Sequence, residues 1–152
     1  MTRFQKTTIA LIAAATLATG ITAASAAGEA DIKYRQNNYK AIGGHMGAIG
    51  AILKGEVDHK YQLSTHADAI AAIAKDVETL FPEGSGPEAG ETRALPVIWS
   101  DADEFQKVID GFKAAAANAA KVAETGDMAA MGEAVKQLGA SCGACHKTFR
   151  AK

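Results

Sequence analysis

Both cysteines of this chain fall within one short stretch near its end, Cys142-Gly143-Ala144-Cys145-His146. That C-x-x-C-H spacing is the one used for covalent haem attachment. Two thiols three residues apart on a helix share one face, where they can add across the two vinyl groups on one haem edge to give thioethers. His146 is adjacent and can place an imidazole nitrogen on the iron. Two other chemistries share part of the pattern. A thioredoxin-like redox pair would follow a strand and open a helix, whereas this motif lies in the last turns of a helical pattern. Zinc would need a fourth ligand from far away in the chain. With both thiols committed to haem, none is left for a disulfide.

The rest of the chain reads as four amphipathic helices. The first runs from about Asp31 to Lys54, with Ile32, Arg35, Tyr39, Ile42, Met46, Ile49 and Leu53 on one stripe at steps of three and four. The second runs from about Asp58 to Phe81, on Leu63, Ala67, Ile70, Ala74, Val77 and Phe81. The stretch from Pro82 to Ser100 holds all three prolines and is read as a long connection. A third helix starts near Ser100, a candidate N-cap with Asp103 three residues on. It uses Phe105, Ile109, Phe112, Ala116, Ala119 and Ala123, and Gly126 ends it. Asp127 caps the fourth, whose stripe is Met131, Val135, Leu138, Cys142, Cys145 and Phe149. Strand signals are absent. Short links between the first and second and between the third and fourth helices, with one long crossover, predict an all-α antiparallel four-helix bundle. The haem motif lies on the core seam of the last helix, so the haem belongs inside the bundle. Abundant alanine favours helix and leaves room for a flat cofactor.

Residues 1–26 have the pattern of a secretory signal peptide. Arg3 and Lys6 are basic, Ile9 to Leu17 is apolar, and Ala24-Ser25-Ala26 has the small-x-small form of a cleavage site. The apolar run is too short for a comfortable membrane span. Residues 27–152 then form one domain. The formal charge of −1 becomes −3 once Arg3 and Lys6 are removed, and no charge run suggests nucleic acid or a membrane surface. Haem c is assembled outside the cytoplasm, so the expected address is the periplasm.

Further pieces surround the motif in a specific order. Tyr34-Arg35-Gln36 lies on the first helix, with Gly55-Glu56 after it. Phe81-Pro82-Glu83-Gly84-Ser85 and Pro96-Val97-Ile98-Trp99 follow, and Phe149-Arg150 comes just after the histidine. With a C-terminal C-x-x-C-H, this resembles cytochrome c′, the high-spin branch of the class II c-type cytochromes, over the whole of residues 27–152. The resemblance implies a five-coordinate haem with His146 as the single axial protein ligand. It implies binding of nitric oxide and carbon monoxide and a role in nitric oxide handling or electron carriage with periplasmic redox partners. No distal histidine and arginine pair lies on the Tyr39 stripe to cleave a peroxide, so an enzyme such as a peroxidase is not expected. A homodimer built on the first helices is also implied.

The same pattern puts Tyr39, four residues after Arg35, over the distal side of the iron, where low-spin relatives have a methionine ligand. A neutral phenol is a poor ligand, so Tyr39 is expected to act as a steric cover or as ordinary core packing. Met46, two turns further along the stripe, is the competing sixth ligand for a low-spin electron carrier, or gap-filling core. Arg35 sits among apolar neighbours, where an unpaired guanidinium would be costly. It can pair with a haem propionate, or snorkel from the bundle end. By resemblance, Gln36 adds a hydrogen bond at that edge, Arg150 stands beside the proximal face, and Asp110 touches the haem edge. Arg150 also suits a helix C-terminus. Trp99 is read as a lid over the haem edge or as core. Met128 and Met131 are read as core, and His45, His59 and His66 as surface or helix-flank residues. Gly43, Gly47 and Gly50 share a face of the first helix. They would let another helix approach closely, either the second helix or a second subunit.

The motif carries a direct expectation. Denatured in alkaline pyridine, the protein should give the absorption spectrum of a haem with both vinyls saturated; a spectrum of intact vinyls, or no haem, would contradict it.

Overall fold

The structure is a computed structural model that describes residues 16–152, with side chains from residue 26 onward. The basic start of the expected signal and most of its apolar run lie outside the described residues. Five helices follow in order: α1 (Thr16–Leu53), α2 (Leu63–Ala74), α3 (Val97–Ser100), α4 (Ala102–Ala123) and α5 (Met128–Phe149). Four of them form the bundle and α3 is a single turn in the crossover. No described helix is long and apolar enough to cross a membrane. Among the described residues the one β-type feature is an isolated antiparallel bridge between Ala94 and Arg150.

The stripes read from the sequence face inward. Ile32, Ile42 and Ile49 on α1 are buried, as are Leu63, Ala67, Ile70 and Ala74 on α2 and all six expected residues on α4. Two seams shift by one residue. Ile52 is buried in place of Leu53, and Ala134 in place of Val135, because a 3.6-residue helix drifts away from a strict heptad. α1 begins at least fifteen residues before the expected Asp31. The alanines from Ala23 to Ala30 favour helix. Gly28 is required there, since a Cβ would collide with the Gly84 carbonyl oxygen of the crossover.

The second segment is more broken than its periodicity predicts. A 3-10 turn (Lys60–Gln62) leads into α2, and a second (Val77–Leu80) follows it after Asp76 leaves helical geometry. The N-cap of α4 is Asp101, which accepts from the Glu104 amide; Ser100 instead closes α3. Asp127 caps α5 as expected, accepting from the amides of Ala129 and Ala130. Between α4 and α5, Gly126 takes a left-handed φ of 70°, the usual glycine stop.

The crossover is tied down at several points. Arg35, only 3 % exposed, donates to the Leu80 carbonyl at 3.1 Å, the Ser85 hydroxyl at 2.8 Å, the Ser85 carbonyl at 2.8 Å and the Thr92 hydroxyl at 3.1 Å. Its guanidinium also lies over the Phe81 ring, 4.8 Å from the centroid. Residues 93–95 pair with the chain beyond α5. Leu95 N donates to the Phe149 carbonyl, Ala151 N to the Arg93 carbonyl, and the Arg93 guanidinium to the Ala151 carbonyl. Trp99 Nε1 donates to the carbonyls of Phe81 and Pro82, closing the turn at the start of the crossover.

Arg35→Met should strand these buried acceptors while keeping the apolar bulk. A loss of about 2–4 kcal/mol is expected, read as a lower urea midpoint of the intact protein. An unchanged midpoint would show that the guanidinium does not hold the crossover.

Candidate functional site: a cavity beside the C-x-x-C-H turn

α1, α4, α5 and the crossover enclose a cavity of about 590 Å³, within the roughly 300–1,000 Å³ usual for small-molecule and cofactor pockets. Cys142, Cys145 and His146 form one wall from α5. Arg35, Gln36, Tyr39, Ile42, Gly43 and Met46 form the facing wall from α1. Ile109 and Phe112 come from α4. Thr92, Arg93, Ala94 and Ile98 come from the crossover. Edge-to-face aromatic contacts run along one side, from Tyr39 through Phe81 and Phe105 to Phe149, with centroids 5.0–6.1 Å apart.

The donor chemistry is arranged on the last turns of α5. Both thiols are free, half-buried and packed against the core. Burial raises both thiol pKa values, that of Cys145 to about 11, so neither is a resting thiolate. That opposes the redox-pair reading, which needs a depressed thiol pKa. No group of three or more metal-ligating side chains occurs among the described residues, which removes the zinc reading there. His146 is held toward its neutral form by burial first, then by the charges of Arg150 and Arg93. Arg150 Nη1 lies 3.2 Å from His146 Nε2. A guanidinium can only donate, so Nε2 presents its lone pair there. A neutral imidazole whose Nε2 lone pair could exchange the Arg150 donor for iron is what an axial ligand must offer.

The charged residues in the wall, Arg35, Lys40, Arg93 and Arg150, are all cations, and no carboxylate joins them. The cavity thus combines apolar faces, two thiols, one neutral imidazole and a cationic border. That set fits an amphiphilic, dianionic macrocycle bearing two vinyls.

The structure gathers Cys142, Cys145, His146, Arg35, Gln36, Tyr39, Met46 and Arg150 around this one space. Arg35 reaches it differently from the sequence reading. Four of its N–H groups already have neutral acceptors from the protein, so a propionate is not needed to satisfy them; its charge, which bonds no carboxylate, remains available. Gln36 Nε2 donates to the Glu91 carbonyl. Asp110 is a correction: it is exposed, accepts from Gln106, and does not line the cavity, because it projects about 100° away from Ile109 around α4. Trp99 is not in the wall either and packs against the core, in line with the second reading. Met131 is buried core and Met128 packs against that core. The crossover residues Thr92, Arg93 and Ala94 were missed. Their one signal in the sequence was a hydroxyl and a cation within a stretch read only as non-helical.

Tyr39 is largely buried. Burial, more than any other cause, raises its phenol pKa well above the usual range, and the nearby Cys145 and Cys142 thiols add to the effect. It therefore stays neutral and faces the thiol wall. Gly43, Gly47 and Gly50 have nothing within 4 Å of where a Cβ would stand. They do not seat α2; Gly43 borders the cavity and Gly47 is exposed.

The sequence profile of the Cytochrome C′ family matches residues 30–150. A cytochrome c′ of Pararhodospirillum photometricum is 46 % identical over 124 residues, covering 80 % of this chain and 97 % of that protein. Among solved structures, a cytochrome c′ described as having ligand-controlled dimer dissociation superposes with a TM-score of 0.77 at 34 % identity, over 82 % of this chain and 97 % of that one. A nitric oxide complex of a cytochrome c′ variant from Alcaligenes xylosoxidans gives 0.75 at 27 % identity, with the same coverages. A further variant of that protein is known with carbon monoxide bound.

Proposed function

The chain belongs to the cytochrome c′ family, whose members carry covalently bound haem c, and from that premise we propose that it is an exported gas-binding haem protein with five-coordinate, high-spin iron. Cys142 and Cys145 would hold the macrocycle as thioethers, and His146 Nε2 would be its single protein ligand. The haem supplies an iron that takes up one electron or one small diatomic molecule. Everything else is the work of the chain. The apolar walls exclude water, and the cationic border of Arg35, Lys40, Arg93 and Arg150 balances two carboxylates. With Nε2 on the iron, Arg150 would give up its contact with the imidazole and be available to donate to a ligand on that side.

The observation that carries this reading is Tyr39. It stands opposite the thiol wall as a partly buried, neutral phenol, which is too weak a donor to occupy the sixth position and large enough to cover it. Such a cover favours small neutral molecules such as nitric oxide and carbon monoxide over anions, in line with the complexes known for similar structures. Met46 lines the same wall and supports the second reading, a low-spin electron carrier with a methionine ligand. His146 is the one histidine in the wall, so no distal histidine is available for peroxide cleavage, and we read the protein as a binding and electron-transfer protein rather than an enzyme. The open glycine face at Gly47 and Gly50 supports pairing of two chains through α1. The N-terminal 26 residues support export to the periplasm, where redox partners would be met.

Electron paramagnetic resonance of the oxidised protein at neutral pH should be dominated by high-spin or spin-mixed signals. A pure low-spin spectrum with a methionine–iron absorption band would reject the proposal in favour of Met46. Tyr39→Ala should speed carbon monoxide association by about tenfold, equivalent to removing roughly 1.4 kcal/mol of barrier; an unchanged rate would mean that Tyr39 is not the cover.

A further inference from the structure

His45 on α1 and His66 on α2 bring their Nδ1 atoms to 3.0 Å from each other. The ring centroids are 5.2 Å apart and the planes are tilted by 49°. Both residues are half-buried between the helices, the helix-flank alternative of the sequence reading rather than the surface one. Rings that merely pack would not need to aim the same nitrogen at one another. We propose that this pair is a transition-metal site, in which a divalent ion such as Cu²⁺ or Zn²⁺ bridges α1 and α2 through the two Nδ1 atoms.

The geometry and the chemistry agree. Imidazole nitrogens lie about 2.0–2.1 Å from zinc, so two ligands on one ion are ~2.9 Å apart at a right angle and ~3.3 Å apart at a tetrahedral angle. The observed 3.0 Å lies between these values, so an ion could be accepted with shifts of a few tenths of an ångström. Imidazole suits copper, zinc and nickel. Without metal, one Nδ1–H must donate to the other ring's lone pair. On binding, that proton moves to Nε2 of the same ring and both Nδ1 lone pairs go to the ion. No proton is lost and no electron moves. Because no third acidic, cysteine or histidine ligand converges there among the described residues, water completes the shell.

The site is separate from the haem cavity. Neither His45 nor His66 lines that cavity. His45 also projects about 200° away from Gly47 around α1, so the open glycine face remains clear. An ion held by ligands on two helices cross-links them in the folded state only, and so it should stabilise the fold.

The test uses the intact haem-loaded protein titrated with zinc chloride by calorimetry, with thermal unfolding in parallel. One zinc per chain is expected, with a raised unfolding temperature. His45→Gln and His66→Gln should each weaken binding by about tenfold or more, the scale on which even the loss of an outer-shell partner weakens a metal site, and should abolish the stabilisation. His59→Gln, which removes an exposed ring bonded only to Tyr61, should change neither. Zinc affinity that survives both substitutions overturns the proposal, as does a wild-type protein that binds none. Should one variant lose its haem spectrum, the other still decides. The cupric spectrum of the wild-type protein is a further check, because hyperfine coupling to fewer than two nitrogens would also overturn it.

Discussion

A single buried cation organises the half of the molecule that surrounds the cavity. Arg35 cannot leave its charge unsolvated, and it draws four acceptors from residues 80–92 onto the inner face of α1. Supplying the Leu80 carbonyl goes together with the break from α-helix to a 3-10 turn after α2. Supplying Ser85 and Thr92 folds a connection with little regular structure across the mouth of the bundle. The crossover is then positioned to pair with the end of α5, beside His146. Removing the guanidinium would take away the reason for this path.

Much of the bundle was legible in the sequence because apolar burial sets its pattern. The α4 stripe from Phe105 to Ala123 is buried at all six expected positions, because Phe105, Ile109 and Phe112 set its phase against Gln106, Lys107, Asp110 and Lys113 and the alanines that follow keep it. The signal is weaker where alanine dominates. Ala23 to Ala30 carries no contrast between faces, and the helix was started too late. The unwinding near Asp76 was hidden for another reason. Val77 and Phe81 keep helical spacing, while the Asp76 carbonyl accepts from the Thr79 amide and hydroxyl and the Leu80 carbonyl from Arg35, a residue more than forty positions away.

The site divides in the same way. Cys142, Cys145 and His146 were readable because the chemistry fixes their spacing along one helix. Tyr39, Met46 and Arg35 were found because the first stripe passes them at helical period. Thr92, Arg93 and Ala94 could not be found by period, since they reach the wall through a loop whose course depends on partners elsewhere. Asp110 failed for a local reason: adjacency in sequence to Ile109 is divergence in direction on a helix. The pairing of His45 with His66 depends on the crossing of two helices, which no single stripe encodes.

The charge pattern of the cavity wall also bears on how such a molecule depends on its cofactor. Arg35, Lys40, Arg93 and Arg150 surround one space with no carboxylate among them, and like charges around a low-dielectric hollow repel. Two carboxylates bound there convert that repulsion into attraction, so the compact state gains stability in step with loading. A chain without its cofactor keeps these like charges facing one hollow, unbalanced by any carboxylate in the wall. The wall that would welcome the cofactor would thereby tie the stability of the fold to loading.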